Sequence, residues 1–450
     1  MSGLDGLSRE ELIGIVLGQA ATIEELTRRV EALEAELEKL RPGGGASAAP
    51  APDWVKPNRK ERRAEGRKKR KSSFVRRKAV CPTKVVCHAP ETCPDCNRKL
   101  SGGWVHRTRE VIDIPSVPVE ITHHQIIARR CGVCGRRVVP KVDFSGVAPG
   151  KSRIGLRLMS LVAELHIVCR IPIRTIRALL KALYGLDISQ GELTELLHRV
   201  AARGQGEYDA LGQQVRGSPV VNADETGWRE DGVNGYVWSF STPEVRYFVW
   251  RRSRGQDVAV EALGEDFGGV LVSDFYCGYN RIPSRHQRCW VHLLRDLDRL
   301  EELHPEDEGV REWVGYIKGL YAEARAFRSE DAGERLRYRY ACERALMAAA
   351  RPFVKTGFAQ HTLAERIERF LPELFVFVED PRVPSDNNAA ERAVRPVVIA
   401  RKISGGTRSA KGSRTRQVLS SLFGTWAARG DETLQACHTM LAKPLLSQQP

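Results

Sequence analysis

The sequence predicts a multidomain α+β protein, and three observations lead to this fold class. At 450 residues the chain is too long for one ordinary hydrophobic core, so we expect roughly two to four domains. Short apolar runs of strand length alternate with long stretches of helical spacing. Two Cys-x-x-Cys pairs mark a further small module. A hydrophobic fraction of 42% with 28% charged residues indicates globular domains rather than a disordered chain.

The N-terminal residues 1–41 show the heptad spacing of a coiled coil, interrupted only by Gln19. Mostly β-branched residues at the a positions with Leu at the d positions favour a parallel two-stranded coil. We expect a homodimer or higher oligomer, and the alternative is an amphipathic helix docked on its own protein. The a positions are Val16, Ile23, Val30 and Leu37, and the d positions are Leu12, Gln19, Leu26, Leu33 and Leu40.

Residues 42–80 read as a linker followed by a basic arm. The whole chain carries a formal net charge of +15, and residues 56–78 hold thirteen Lys or Arg against Glu61 and Glu65. Such a tract favours contact with a polyanion, nucleic acid before membrane, over a merely solvated arm. The DNA-binding residues expected in its densest part are Lys68, Lys69, Arg70 and Lys71.

Membrane insertion and secretion are not expected. No apolar run approaches the roughly 20 residues that a membrane-spanning helix needs. The N-terminus lacks the basic region, apolar core and cleavage site of a secretion signal. We therefore expect a cytoplasmic, nucleoid-associated protein, and in that reducing compartment paired cysteines indicate metal binding rather than disulfides.

Residues 81–145 contain the two Cys-x-x-Cys pairs and are predicted to form a zinc ribbon. The pairs flank a segment whose alternation at 111–114 and 119–122 indicates a hairpin. Two knuckle turns, each presenting two thiolates, suit one structural, tetrahedral Zn²⁺, and the alternative is unrelated reduced thiols. The expected ligands are Cys93, Cys96, Cys131 and Cys134. Three further donors with less regular spacing lie nearby: Cys81, Cys87 and His88.

Residues 151–215 are predicted to be helical. One apolar stripe precedes the turn at Gly185, and Ser189 is a suitable N-cap for the next helix. Helix, short glycine turn and helix are compatible with a helix-turn-helix. An ordinary helical packing layer is an equal alternative, because the second helix is not densely basic.

Three carboxylates, Asp224, Asp274 and Glu391, lie where a two-metal site for nucleic-acid chemistry would need them. The first two end short apolar runs that read as buried strands, and carboxylates at the ends of neighbouring strands can converge on one cation pair. Glu391 falls in the first turn of a helix for which Ser385, Asp386 and Asn387 offer N-caps. Mg²⁺ or Mn²⁺ prefers such oxygen ligands.

The order of elements around these carboxylates indicates an RNase H-like domain at 216–430. A strand with Asp224, a hairpin, a helix at 256–263 and a strand with Asp274 follow one another. The segment from Arg288 is expected to supply the fifth strand or its following helix. A long charged helical stretch at about 300–380 reads as an insertion, and 431–450 reads as a C-terminal tail.

Four motifs in register resemble the DDE transposases of the insertion-sequence-sixty-six family. They lie at residues 222–226, 273–279, 289–292 and 386–396, and the likeness extends over nearly the whole chain. The resemblance implies that Asp224, Asp274 and Glu391 bind two divalent cations, and that Glu225 does not. It also implies cleavage at the ends of an insertion element, joining of the freed 3′-hydroxyls to target DNA, and accessory proteins of the element as partners.

Basic residues beside Glu391 would clamp DNA phosphates, with a solvated face as the alternative. They are Arg395, Arg401, Lys402, Arg408, Lys411, Arg414 and Arg416. Cys289 and His292 could ligate a metal, but packing with Trp290 is favoured. Two other functions stay open: a catalytically inactive zinc-ribbon DNA-binding regulator, and an RNase H-like nuclease that cuts branched DNA.

Overall fold

The computed structural model describes residues 28–29, 81–114, 117–148 and 152–443. The predicted coiled coil, apart from residues 28–29, and the basic arm with Lys68, Lys69, Arg70 and Lys71 lie outside the described residues. The chain divides into two compact units, Met1–Ile114 and Pro115–Pro450. No helix in the described ranges is both long and apolar enough to cross a membrane.

The second unit is a mixed α+β structure, and within it four helices lie between Leu156 and Arg216. Gly185 closes α2 in the left-handed conformation, with φ 67°. The Ser189 side chain caps α3 by accepting a hydrogen bond from the Glu192 N–H at 3.1 Å. The helices are α1 (Leu156–Ile167), α2 (Ile173–Tyr184), α3 (Gln190–Arg203) and α4 (Gln205–Arg216).

A five-stranded mixed sheet forms the centre of this unit. Two short strands precede it, β1 (Arg129–Arg130) and β2 (Arg137–Val138), and they pair with each other. The sheet strands are β3 (Val220–Glu230), β4 (Val233–Ser241), β5 (Arg246–Arg251), β6 (Val270–Ser273) and β7 (Arg285–Arg288). Their spatial order is β5-β4-β3-β6-β7; β4 is antiparallel to both neighbours, and β6 is parallel to β3 and β7.

The hairpin between β3 and β4 turns in only two residues. Asp231 and Gly232 have φ values of 51° and 78°, the pair of positive angles that a tight type I′ turn requires. This turn extends β3 well past the apolar run that predicted it. Asp224 therefore lies inside an eleven-residue strand rather than at its end, which corrects the sequence-based expectation.

Further helices lie between and after the strands of the sheet. Helix α5 (Asp257–Leu263) links β5 to β6, so the predicted order of strand, hairpin, helix and strand is present. The remaining helices are α6 (Trp290–Leu303), α7 (Glu308–Ala326), α8 (Ala332–Ala350), α9 (His361–Phe370), α10 (Val376–Glu379), α11 (Asn388–Ser404), α12 (Ala410–Arg429) and α13 (Thr433–Ala442).

Among the described residues of the second unit, the buried hydrophobic side chains form four clusters, of which two are large. One combines α1–α4 with the sheet and with residues of α12 and α13, such as Phe423 and Met440. The other lies within the helical stretch from Trp290 to Val378. The helices predicted as an insertion therefore have a core of their own.

The C-terminal segment 431–450, predicted from the sequence to be a tail, contains a packed helix. Helix α13 buries Cys437, Met440 and Leu441, whose 3–4 spacing forms one apolar face. Residues 444–450 lie outside the described ranges.

Candidate active site

The two predicted aspartates occupy equivalent positions on neighbouring parallel strands. Asn222 of β3 pairs with Val272 of β6, and each aspartate lies two residues further along its strand direction. Side chains two residues apart share a face of the sheet, so Asp224 and Asp274 are directed to the same side. Asp274 follows β6 directly, and its carboxylate accepts the Tyr276 N–H at 3.0 Å.

Glu391 is in the first turn of α11, as the capping residues predicted. The Asp386 carboxylate accepts the Asn388 N–H at 3.0 Å, which fixes the turn into the helix. The Glu391 carboxylate is 38% exposed and lies 3.9 Å from the Arg295 guanidinium of α6. That long, exposed pair leaves its oxygens accessible.

Electrostatic coupling links the three carboxylates. Burial, followed by the negative charges of Glu225 and Asp274 and then of Glu391, raises the pKa of Asp224 to about 7. Among the residues that the structure describes, no three His, Cys, Asp or Glu side chains are gathered closely enough to form a ready-made metal site. Asp274 and Glu391 are near enough to repel Asp224, but the three carboxylates are not gathered around one point.

A buried hydrogen-bond network joins the three segments that carry these carboxylates. Its centre is Asn387, the N-cap residue of α11, which is 2% exposed. The Asn387 amide donates to the carbonyl of Ala223 at 2.7 Å and accepts from the Asn222 amide at 3.0 Å. The network therefore ties the first turn of α11 to the strand residue that precedes Asp224.

Cys289 extends this network to the third segment. Its thiol accepts the Asn387 N–H at 3.2 Å, and its own N–H donates to the carbonyl of Ser273 at 2.9 Å. Ser273 immediately precedes Asp274, so one chain of contacts connects β3, β6 and α11. This role of Asn387 was not predicted from the sequence, because Asn222 and Ala223, its partners, are about 165 residues away along the chain.

Arg288 supports Asp274 from the interior. The guanidinium is 1% exposed and donates to the Asp274 carbonyl at 2.9 Å and to the Asn280 side chain at 2.7 Å. Glu373 accepts from its Nε at 2.5 Å and neutralises the buried charge. This contact holds the backbone at Asp274 in place.

Glu225 has a different environment from Asp224. Its carboxylate is 3% exposed, forms an ion pair with Arg254 at 2.6 Å and accepts the Tyr279 hydroxyl. Arg254 also lies 4.0 Å above the ring of Tyr276. Glu225 is thus fully partnered on the opposite face of β3.

The Transposase IS66 family model matches residues 151–415, well over half of the chain. The chain belongs to the Transposase IS66 family. This membership makes it a DNA-processing enzyme that binds DNA, and it confirms the family that the sequence motifs indicated.

Relatives from Sinorhizobium fredii carry no assigned function. The uncharacterized protein y4jD is 27% identical over 71% of this chain and 69% of its own length. The uncharacterized protein y4hP is 24% identical over 84% of this chain and 75% of its own length. The uncharacterized protein y4qI is 23% identical over 56% of this chain and 52% of its own length.

The basic residues of this transposase near Glu391 fall into different environments. Lys411 forms an ion pair with Glu195 at 2.9 Å, and Arg401 is half-buried, lying against Gly227 of β3. Arg416 packs inward, with its guanidinium 5.9 Å from the ring of Trp228 and 3.4 Å from His166. Arg416 is therefore not the free phosphate contact that its position in the basic cluster suggested. Besides Lys411, the exposed members are Arg395, Lys402, Arg408 and Arg414.

The segment with Cys289 and His292 supports packing around Trp290. Both Cys289 and Trp290 are fully buried, and the Trp290 ring stacks on Tyr321 at 4.6 Å between centroids. The Nδ1 of His292 is buried and has no hydrogen-bond partner among the described residues.

The cysteine pairs of the transposase have matching local geometry, each within its own unit. The Cys93 N–H donates to Arg98 and its carbonyl accepts from Asn97, both at 2.9 Å. The second pair repeats this pattern: the Cys131 N–H donates to Arg136 and its carbonyl accepts from Gly135, again at 2.9 Å.

Backbone N–H groups aimed at the sulfur favour the thiolate in both turns. Those of Asp95 and Cys96 lower the pKa of Cys93, and those of Cys134 and Val133 lower the pKa of Cys131. The structure has no strand at 111–114 or 119–122, where the alternation predicted a hairpin, and the local strands are β1 and β2 beside Cys131.

Proposed function

We propose that this chain is a DDE transposase that cleaves the ends of an insertion element and joins the freed 3′-hydroxyls to target DNA. Asp224, Asp274 and Glu391 would form its catalytic triad. The observation that carries the proposal is the placement of Asp224 and Asp274 at matching positions of neighbouring parallel strands. There burial, then the charges of Glu225 and Asp274, and then that of Glu391 raise the pKa of Asp224 to about 7. Such a cluster is costly without a compensating cation and is typical of functional sites.

The sheet supports an RNase H-like catalytic domain. Three antiparallel strands, β5, β4 and β3, continue into two parallel strands, β6 and β7, in the order 3-2-1-4-5 of that fold. The triad would come from the first strand, the end of the fourth and the helix that follows the insertion. Fold alone does not specify chemistry, so the proposal rests on the carboxylates.

The donor set suits two Mg²⁺ or Mn²⁺ ions, because it consists of carboxylate oxygens with one accessible glutamate. When bound, such ions would activate the attacking oxygen and stabilise the leaving 3′ oxygen. Asn387 and Arg288 would hold the carboxylates in register, which limits the reorganisation needed on binding.

The proposed reaction consists of two displacements at phosphorus. Water attacks the phosphodiester at the element end, the bond from phosphorus to the 3′ oxygen breaks, and that oxygen leaves as a hydroxyl. The freed hydroxyl then attacks a target phosphodiester, and the target 3′ oxygen leaves. Neither step needs a covalent enzyme intermediate.

Contacts with DNA outside the triad are also proposed. The exposed Arg395, Lys402, Arg408 and Arg414, with Arg401 and Lys411, would bind backbone phosphates. The basic arm, with Lys68, Lys69, Arg70 and Lys71, would add a contact that is independent of sequence. The N-terminal coiled coil would form the dimer.

A structural zinc ion is proposed at Cys93, Cys96, Cys131 and Cys134. The matching turns support it, because each presents backbone N–H groups that favour thiolate ligands.

The test is incubation of purified protein with an end-bearing duplex, target plasmid and Mg²⁺ or Mn²⁺. We expect joined products that disappear in Asp224→Ala and persist in Glu312→Gln, an exposed change on α7. Cleavage without joining would indicate a nuclease, binding without cleavage would indicate a regulator, and either result would overturn the proposal.

A further inference from the structure

A cavity of about 950 Å³ lies beside the candidate active site, on the α11 side of the sheet. It is bounded by the beginning of β3, the β4–β5 turn and the first turns of α11. Its volume is within the range of about 300–1,000 Å³ that small-molecule sites occupy. The cavity is therefore large enough for one nucleotide.

The cavity reaches residues adjacent to the triad. Asn222 and Ala389 both line it, and each is two residues from a carboxylate, Asp224 and Glu391 respectively. Two residues span roughly 7 Å along a strand and roughly 3 Å along a helix. A group bound in the cavity would thus lie next to the chemistry without occupying it.

Two guanidinium groups face this cavity without a carboxylate partner. The Nη1 of Arg246 donates to the carbonyls of Thr242 and Val245, which fixes the half-buried guanidinium at the cavity wall. Arg392, on α11, lines the same space. Among the ion pairs of the described residues none includes either arginine, whereas Arg382 is already paired with Asp380 at 2.8 Å.

The positive charges of Arg246 and Arg392 repel each other. Burial, and then the charge of Arg392, lowers the pKa of Arg246. Like charges in a partly desolvated cavity are unfavourable unless an anion lies between them. Glu244, which also lines the cavity, is exposed and pairs with neither arginine.

The remaining wall is mixed, and its apolar part restricts the class of anion. Besides the charged residues already named, Gln214, Ser218 and Thr242 supply polar groups. Proline and small aliphatic side chains form the apolar part: Pro219, Val220, Pro243, Ala389 and Ala393. A bare inorganic ion would leave these surfaces without a partner. A nucleotide would place its phosphate on the arginines and its base against the apolar wall.

We propose that this cavity binds one unpaired nucleotide of the DNA substrate, with its phosphate held by Arg246 and Arg392. The DNA source rests on the proposed function, since a free nucleotide has the same chemistry. A captured nucleotide next to Asp224 would hold the strand beside the triad open, as enzymes that act on extruded nucleotides do.

Fluorescence anisotropy without added Mg²⁺ or Mn²⁺ tests this proposal apart from catalysis. The full chain carrying Asp224→Asn is titrated with a labelled duplex in two forms, fully paired or with three unpaired nucleotides. We expect roughly tenfold tighter binding of the unpaired form. The double variant Arg246→Gln/Arg392→Gln should remove this preference, while affinity for the paired duplex changes less than about twofold.

Two further variants distinguish a loss of nucleotide binding from a folding defect. Arg392→Gln alone changes an exposed helical side chain and should lose part of the preference. Arg311→Gln, an exposed arginine on α7, should keep all of it. Equal loss for both duplex forms, or no preference in the parent protein, would overturn the proposal.

A competition arm identifies the source of the nucleotide. Thymidine monophosphate should displace the unpaired duplex only at concentrations far above the affinity for DNA, because it lacks the flanking phosphate contacts. Displacement at concentrations comparable to the DNA affinity would assign the cavity to a free nucleotide and overturn the DNA assignment. Failure of the joining assay alone would reject the proposed function and leave this binding result intact.

Discussion

The two faces of strand β3 carry adjacent carboxylates with opposite surroundings. Glu225 is compensated by the Arg254 guanidinium at 2.6 Å and by the hydroxyl of Tyr279. Burial, and then the charges of the neighbouring carboxylates Glu225, Asp274 and Glu391, raise the pKa of Asp224 to about 7. The difference lies in the cation partner: a buried carboxylate with an ion-pair partner is explained by stability, whereas one buried beside carboxylates without such a partner among the described residues is a candidate functional group.

The largest expected effect is on DNA joining. Asp224→Asn should reduce the joining rate by roughly a thousandfold or more, because transition-state stabilisation of this kind is commonly worth that much. Glu225→Gln should stay within about tenfold of wild type, since its amide still accepts the Tyr279 hydroxyl. The measurement is joined product per unit time, and comparable losses in both variants would remove the distinction between the two faces.

Stability should respond in opposite directions on the two faces. Glu225→Ala leaves the Tyr279 hydroxyl without its acceptor and should lower the free energy of unfolding by about 3 kcal/mol. Asp224→Asn should raise the free energy of unfolding at pH 8 in a buffer without added Mg²⁺ or Mn²⁺. Denaturant unfolding measures both, and destabilisation by Asp224→Asn would contradict the account of like-charge repulsion.

The network at Asn387 supplies a smaller test of how the triad is held. Asn387→Ala should cost about 2 kcal/mol, because the Asn222 amide and the Ala223 carbonyl lose their partner. It should also slow joining at saturating DNA, with little change in affinity for DNA. Asn388→Ala is the matched control and should change stability by less than about 0.5 kcal/mol. Unchanged joining in a destabilised Asn387→Ala protein would limit the network to a structural role.

The smallest expected effect is a pH dependence of the stability difference between wild type and Asp224→Asn. The folded pKa of about 7 exceeds the unfolded value of about 3.9, so the unfolded state loses its proton first as pH rises. In a buffer without added Mg²⁺ or Mn²⁺, the stability advantage of Asp224→Asn should therefore grow from about pH 4 to pH 7 and then level off. Allowing for solvent screening, we expect about 1 kcal/mol at the plateau. A difference that shrinks with rising pH would have the wrong sign.

Local sequence signals predicted the elements that depend on near neighbours. The helix of Glu391 was predictable because Asp386 and Asn387 lie immediately before it and fix its start. The strand of Asp224 was placed but ended too early, since its second half is polar and depends on pairing with β4. The Asp231-Gly232 dipeptide was the available signal for that hairpin.

Contacts between distant segments were not predictable from one sequence. Nothing local at Asn387 indicates that its amide reaches Ala223, about 164 residues away. Arg416 belongs to a basic cluster by position, and only the packing of α12 shows that its guanidinium lies beside Trp228. Helical periodicity describes which residues share a face, but it does not identify what that face contacts.

The assignment of the triad is tested by titrating Mn²⁺ into the full chain in isothermal calorimetry, with the structural zinc retained. We expect two Mn²⁺ ions per chain in wild type and in Glu225→Gln, and weakened binding in Asp224→Asn, Asp274→Asn and Glu391→Gln. Mn²⁺ binding that survives all three of these changes would contradict the assignment of the triad.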